Sequence, residues 1–532
     1  MNRTSRNTLI TLAGNLLATL LGMLVVISVS SRYGAASATD AFWIAYALPS
    51  ILGQVYLSAS LLVLSPAFVG KRTEAGDTAA WALGNTFLTG AMALAAGISV
   101  LLFVAAPLWT RLLAPGYDGP TADLAAGLLR GLAPAVLGLA ISGVGTSLLI
   151  SHHRFGVASM VRPLSLACVL GGILFFASHG IHAYAYAVTA GSLASAACVA
   201  LALRPYASRL RPSWSWRHTG VAAMMGLLPV VLLARGIGHG NEVLIRAIAS
   251  TLPIGSVSAL GYAWAIFQVP GLLGASLATV VFPQFSEKLA ARRTDELVSQ
   301  TVTCVKILFL LSGALATGLV TLGVPLVQVL LERGLFRHSD TLLTGRVVAC
   351  YGIGVLVTSV NGVVGNLFWS LRQVKTRVAL EAGAIAAGLV AAFLLAPRLG
   401  AAGLALATSG MYLVLTWAGF FTLARWILPS PRWKDLLPAV GKTLAGCLAM
   451  GAAIGTSCVA AGLLGLHPVA VLASGGALGL AVYVLVGWRL QGQVLNLVLA
   501  VLFRRQTVQT AAVPPASGTA PLPDAGACEV GR

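Results

Sequence analysis

Apolar runs of roughly 20 to 30 residues, parted by short polar stretches, recur from one end of this chain to the other. A helix of about 20 residues crosses a hydrocarbon core of about 30 Å, so each run is long enough to span a bilayer. Fourteen spans are predicted, at about 8–30, 39–68, 80–109, 121–150, 155–178, 182–203, 219–248, 254–284, 300–323, 341–370, 377–397, 400–424, 437–463 and 468–488. The second, TDAFWIAYALPSILGQVYLSASLLVLSPAF from Thr39 to Phe68, organises the rest because it is written twice. GYAWAIFQVPGLLGASLATVVFP sets Trp264, Pro270 and Gly274 against Trp43, Pro49 and Gly53, an offset of 221 residues. A further echo, SGVGTSLLIS at Ser142–Ser151 against NGVVGNLFWS at Asn361–Ser370, has an offset of 219. Two echoes at nearly one offset imply two homologous halves. In membrane proteins such halves enclose a substrate site at their interface and rock about it, which points to a transporter.

Composition removes the soluble alternatives. Of 532 residues 58% are hydrophobic and 9% charged, with a mean hydropathy of +0.89, which no soluble globular domain shows. The net charge of +19 would suggest nucleic acid in a soluble protein, but here the cations lie between apolar runs and read as orientation signals. With the N-terminus inside, and with Arg162 and Arg377 counted with the cytoplasmic segments beside their spans, those segments hold 23 Lys and Arg, outer loops 5 and the spans the remaining 6 of 34. That asymmetry predicts both termini in the cytoplasm and an even number of spans. The most basic segment, RPYASRLRPSWSWR at 204–217, joins the halves and reads as a linker or as a surface helix anchored by Tyr206, Trp214 and Trp216. The 59 glycines suit close helix contacts, and the seven scattered cysteines form no CxxC and no disulfide framework. The first apolar run exceeds a signal-peptide core and reads as a retained helix. No nucleotide-binding loop, nucleophile with partners or metal-ligand spacing is present, so neither an enzyme nor a cofactor is expected.

Six segments in order resemble one family. They are ATDAFWIAYALP at 38–49, LLRGLAP at 128–134 followed by HRF at 153–155, GSVSALGYA at 255–263, VPGLLGASLATVVFP at 269–283, LLERGLF at 330–336 with Asp340 and Thr341, and LGAAGLALATS at 399–409. These are similar to motifs of the MurJ (MviN) lipid II flippases, within the multidrug, oligosaccharidyl-lipid and polysaccharide exporter superfamily. The resemblance implies an all-α polytopic membrane protein of about 14 transmembrane helices: two pseudo-symmetric six-helix lobes around a central cavity, plus two C-terminal helices. It divides the chain into an N-lobe at 1–203, a basic linker at 204–218, a C-lobe at 219–426, two extra helices within 427–505 and a disordered cytoplasmic tail at 506–532. It also implies alternating-access flipping of an undecaprenyl-pyrophosphate-linked saccharide, lipid II first, across the bacterial inner membrane, alongside envelope-synthesis enzymes. A surface-polysaccharide repeat unit is the alternative cargo, and a drug or cation antiporter the alternative transporter. The family's cavity cations are largely missing, since Thr19, Val25, Ala47, Gly53 and Ala265 stand at positions where it carries Arg or Lys.

Charges within spans are costly, at least about 2.5–3.5 kcal/mol each on insertion scales, and mark functional candidates. Asp40 opens the second span, where a carboxylate can cap a helix, join the lobes or touch the ligand. Arg130 keeps the family's LxR pattern and is assigned to the cavity. Arg235, His239, Glu242 and Arg246 advance by 4, 3 and 4 along the seventh span and share one helical face, with pairing of Glu242 and Arg246 as the structural alternative. Arg346 is placed at the outer rim of the cavity. A sodium site near the seventh, eleventh and twelfth spans is implied by the resemblance, with Glu381 as its candidate ligand; membrane potential is the other candidate energy source.

Overall fold

A peptide group in hydrocarbon has no water to bond, so the chain satisfies its backbone internally, and helices follow one another with only short turns between. The computed structural model describes residues 3–213 and 219–503; Trp214, Trp216, Arg217 and the tail at 506–532 lie outside the described residues. The helices are α1 (Arg3–Tyr33), α2 (Ser37–Ala59), α3 (Ser65–Val104), α4 (Ala106–Leu113), α5 (Gly119–Leu132), α6 (Ala135–Ser151), α7 (Phe155–Phe175) and α8 (Ile181–Ala202) in the first half. The second half has α9 (Thr219–Ala249), α10 (Ser256–Ala290), α11 (Thr294–Leu331), α12 (His338–Ser370), α13 (Val374–Leu399) and α14 (Ala401–Thr422), followed by α15 (Leu436–Leu463) and α16 (Pro468–Phe503). Among the described residues there is no strand.

Ten helices among the described residues are long and apolar enough to cross a membrane, or up to eleven if the bent pair α5 and α6 is one span. The expected fourteen is therefore not confirmed as a number. One reason is visible in the backbone: the 68-residue stretch Ser37–Val104 counts once, although Gly76 breaks α3 at φ 81°. A second is that α9 and α10 are only partly described.

Packing follows the two halves. In the first, α1 lies on α7, α7 on α8, and α2 on α5 and α6; in the second, α12 is central, packed on α10, α11 and α14, with α13 against α14. α9 bridges the halves, touching α13 on one side and α2 on the other. α15 and α16 pair with each other and lean on α11, where the Tyr483 hydroxyl donates to the Leu310 carbonyl at 2.7 Å.

The linker is fastened to the first half. Arg209 pairs with Asp77 of α3 at 2.5 Å, and Asn85 Nδ2 donates to the Arg209 carbonyl at 2.7 Å. The Tyr206 ring stacks on His152 and Trp81, with centroids 4.4 and 5.5 Å away. Over 204–213 only one short turn, Arg204–Tyr206, is helical, so the described part of the linker is a docked strap and not a surface helix.

Candidate functional site

Asp40, the acid that opens α2, is 3% exposed and reaches across to the second half. It accepts from the backbone N–H groups of Gly255 and Ser258, both at 2.7 Å, and from the Ser258 hydroxyl. It thus caps the start of α10, where helix N–H groups lack partners and the helix dipole favours an anion. Its own helix starts at Ala36 without a side-chain cap. The carboxylate is thus both a helix cap and a contact between the halves.

The same end of the bundle carries a whole set of cross-lobe bonds. Tyr262 donates its hydroxyl to the Gly34 carbonyl at 2.8 Å, Leu335 N–H to the Ser31 carbonyl at 2.8 Å, and Gly116 N–H to the Ser250 hydroxyl at 3.2 Å. Close approach dictates glycine at two of these places: both are left-handed, Gly34 at φ 63° and Gly334 at φ 60°, and a Cβ at 334 would stand 2.2 Å from the Ser31 oxygen. Tyr262 stands nearby in a buried aromatic set with Trp43 and Phe336.

Deeper in, a cavity of about 390 Å³ opens among α9, α10, α12, α13 and α14. Glu242 and Arg246 line it as an ion pair one helical turn apart, at 2.5 Å, with Arg246 only 6% exposed. Arg246 also donates through Nη1 to the Trp43 carbonyl of α2 at 3.1 Å, and its guanidinium lies 5.6 Å from the Trp43 ring centroid. The pairing anticipated along the seventh span is therefore present, with a lobe contact added to it. Arg235 and His239 belong to α9, but their side chains lie outside the described residues. Glu381 of α13 lines the same cavity, facing Gly238 of α9.

Arg377, counted among cytoplasmic loop cations by sequence, lies in the first turn of α13 and is 8% exposed, its Nη2 donating to Asn361 Oδ1 at 2.9 Å. Arg162, counted likewise, stands on α7 within electrostatic reach of Tyr46, as do Arg246 and Glu242. An arginine near the end of an apolar run looks like an orientation signal whether it points in or out. The i, i+4 spacing of Arg377 and Glu381 was the available clue.

The structure does not bring Arg130 or Arg346 to this cavity. Arg130 occupies the exposed face of α5, shared with Asp123, and Arg346 the exposed face of α12, shared with Leu342 and Ile353. Neither is among the cavity-lining groups. Packing occupies several positions where a family cation is missing: Val25 and Ala47 are buried, and a Cβ at Gly53 would stand 3.0 Å from Leu139.

Two helical halves bonded to each other around Asp40, with an ion pair of the second half reaching Trp43 of the first, describe a polytopic membrane transporter. A multidrug MATE transporter of the MOP superfamily in its inward-facing conformation superposes with a TM-score of 0.66 at 15% identity, covering 79% of this chain and 95% of that one. The chain belongs to the family described as lipid II flippase MurJ, which matches residues 29–471. Curated relatives include the lipid II flippase MurJ of Burkholderia cenocepacia, 24% identical over 75% of this chain and 80% of that protein. The probable lipid II flippase MurJ of Bdellovibrio bacteriovorus is 27% identical over 82% and 84%. The solved structure titled lipid II flippase MurJ, inward closed conformation, matches with a TM-score of 0.78 at 18% identity over 92% of this chain and all of that one. As in that family, this is a membrane transporter and not an enzyme, a multi-pass protein of the inner membrane.

Proposed function

We propose that this chain flips an undecaprenyl-pyrophosphate-linked saccharide, lipid II, from the inner to the outer leaflet by alternating access. The observation that carries the proposal is the family match over 29–471, on a chain whose Glu242–Arg246 pair lines a cavity of the second half and bonds to Trp43 of the first. In this reading 1–203 and 219–426 are the moving lobes, and the Asp40 end is the periplasmic gate. The linker and both termini face the cytoplasm. Cysteines placed at Arg211 and at Pro115, both exposed, are expected to react with membrane-impermeant reagent from opposite sides of the membrane. Reaction of both from one side overturns the orientation.

Loss of the family cations predicts a weaker hold on the diphosphate. A charge-assisted contact is worth about 1.5–3 kcal/mol when made, so two or three losses weaken binding by orders of magnitude. The test is depletion of a cell's resident lipid II flippase with this protein as sole substitute. Translocation of lipid II is expected, with growth restored only at high expression. Lipid II trapped on the inner face at every expression level would overturn this cargo. The same loss of cations favours the second reading, another undecaprenyl-linked glycan.

A further inference from the structure

Resemblance offers Glu381 as ligand of a coupling sodium ion, and the cavity that holds it also holds a second carboxylate, Glu242. A hard cation needs several oxygen donors gathered at short range. Here each acid already has a guanidinium in its neighbourhood. Arg246 is bonded to Glu242, and Arg377 enters one helical turn before Glu381 on the same face of α13, within electrostatic reach of it. A guanidinium is a fixed positive charge in proteins generally.

The site is built around the Arg377 head group. Nη2 donates to Asn361, while Nη1 has no hydrogen-bond partner and is closed off from solvent. The backbone leaves room for the acid: a Cβ at Gly238 would stand 2.9 Å from Glu381 Oε1. Among the described residues no three His, Cys, Asp or Glu side chains gather where they could hold a metal. This donor set does not fit a bound sodium ion, because any cation entering the pocket would face Arg377 and Arg246 as well as the two acids.

We infer that the Arg377 guanidinium is a built-in cation standing in the place of a coupling ion, so that the second lobe works without sodium at this pocket. A tethered charge cannot be released on the far side of the membrane. The pocket therefore cannot draw on a sodium gradient. The inference concerns the pocket and not the cargo, so its test stands whatever saccharide is carried.

The full chain, purified in detergent, is melted by tryptophan fluorescence while sodium replaces choline at constant ionic strength. A ligand that binds only the folded state raises the melting temperature with its concentration. Wild type is expected to show no saturable rise. R377Q is expected to melt lower in choline and to gain a saturable sodium-dependent rise, while R377K stays insensitive like wild type. A saturable rise in wild type that E381Q abolishes would establish a bound-ion site and overturn the inference. So would an R377Q protein no more sensitive to sodium than wild type. If R377Q does not accumulate, the wild-type and E381Q titrations decide alone.

Discussion

Asp40→Ala is expected to unfasten the two halves at the start of α2 and α10 and to abolish transport while the protein still inserts. The carboxylate accepts three hydrogen bonds from the first turn of α10, and removing it leaves buried Gly255 and Ser258 donors without an acceptor. Hydrogen bonds to charged groups are worth about 1.5–3 kcal/mol each, so a net loss of about 3–5 kcal/mol is reasonable after relaxation. Shifting a two-state equilibrium from 1:99 to 99:1 takes about 5.5 kcal/mol, so this one side chain commands most of such a shift. Spin labels at Pro115 and Thr251, exposed on facing loops of the two lobes, would read it as a longer distance between labels. Asp40→Asn, which keeps an acceptor oxygen but no charge, should fall between. An unchanged distance in the alanine variant would show that the other cross-lobe bonds hold the gate alone.

The second large effect is expected from Arg246→Ala. Removing one partner of a buried ion pair costs about 3–5 kcal/mol, because the other charge is left uncompensated. Glu242 keeps some exposure, 23%, through the cavity, which favours the lower part of that range. The bond to the Trp43 carbonyl and the cation–π contact, worth about 0.5–2 kcal/mol, go as well. The variant should melt lower and fail to transport. Replacing both partners, Glu242→Gln with Arg246→Met, should return most of the melting temperature and none of the transport. Normal flipping by Arg246→Ala would make the pair purely structural.

Much of the fold was legible because lipid allows so few solutions: apolar length marks helices, and the repeat of Trp43, Pro49 and Gly53 as Trp264, Pro270 and Gly274 marks the halves. The Glu242–Arg246 pair was legible too, since both residues lie on one helix and i, i+4 spacing is a local property. Asp40 was harder. Its residue type and place at a helix start announced a cap, but the helix it caps begins more than two hundred residues away, and only tertiary structure brings them together. Arg377 was misread because a positive charge beside a span is normally an orientation signal, and nothing local to 372–377 says that this one turns inward toward Asn361. Arg130 was carried to the cavity by its motif, yet the face of α5 it occupies is set by how that helix packs on α2 and α8.

The α15–α16 pair leans on α11 and therefore belongs mechanically to the second lobe. In the proposed cycle the two moving parts are then unequal, the second carrying two extra columns of side chains through lipid. Viscous resistance grows with the perimeter a body presents to the bilayer, so in the proposed cycle the first half turns somewhat further than the second. Because α16 and α11 pack together, a crosslink tying one to the other is expected to leave the rate of flipping almost untouched.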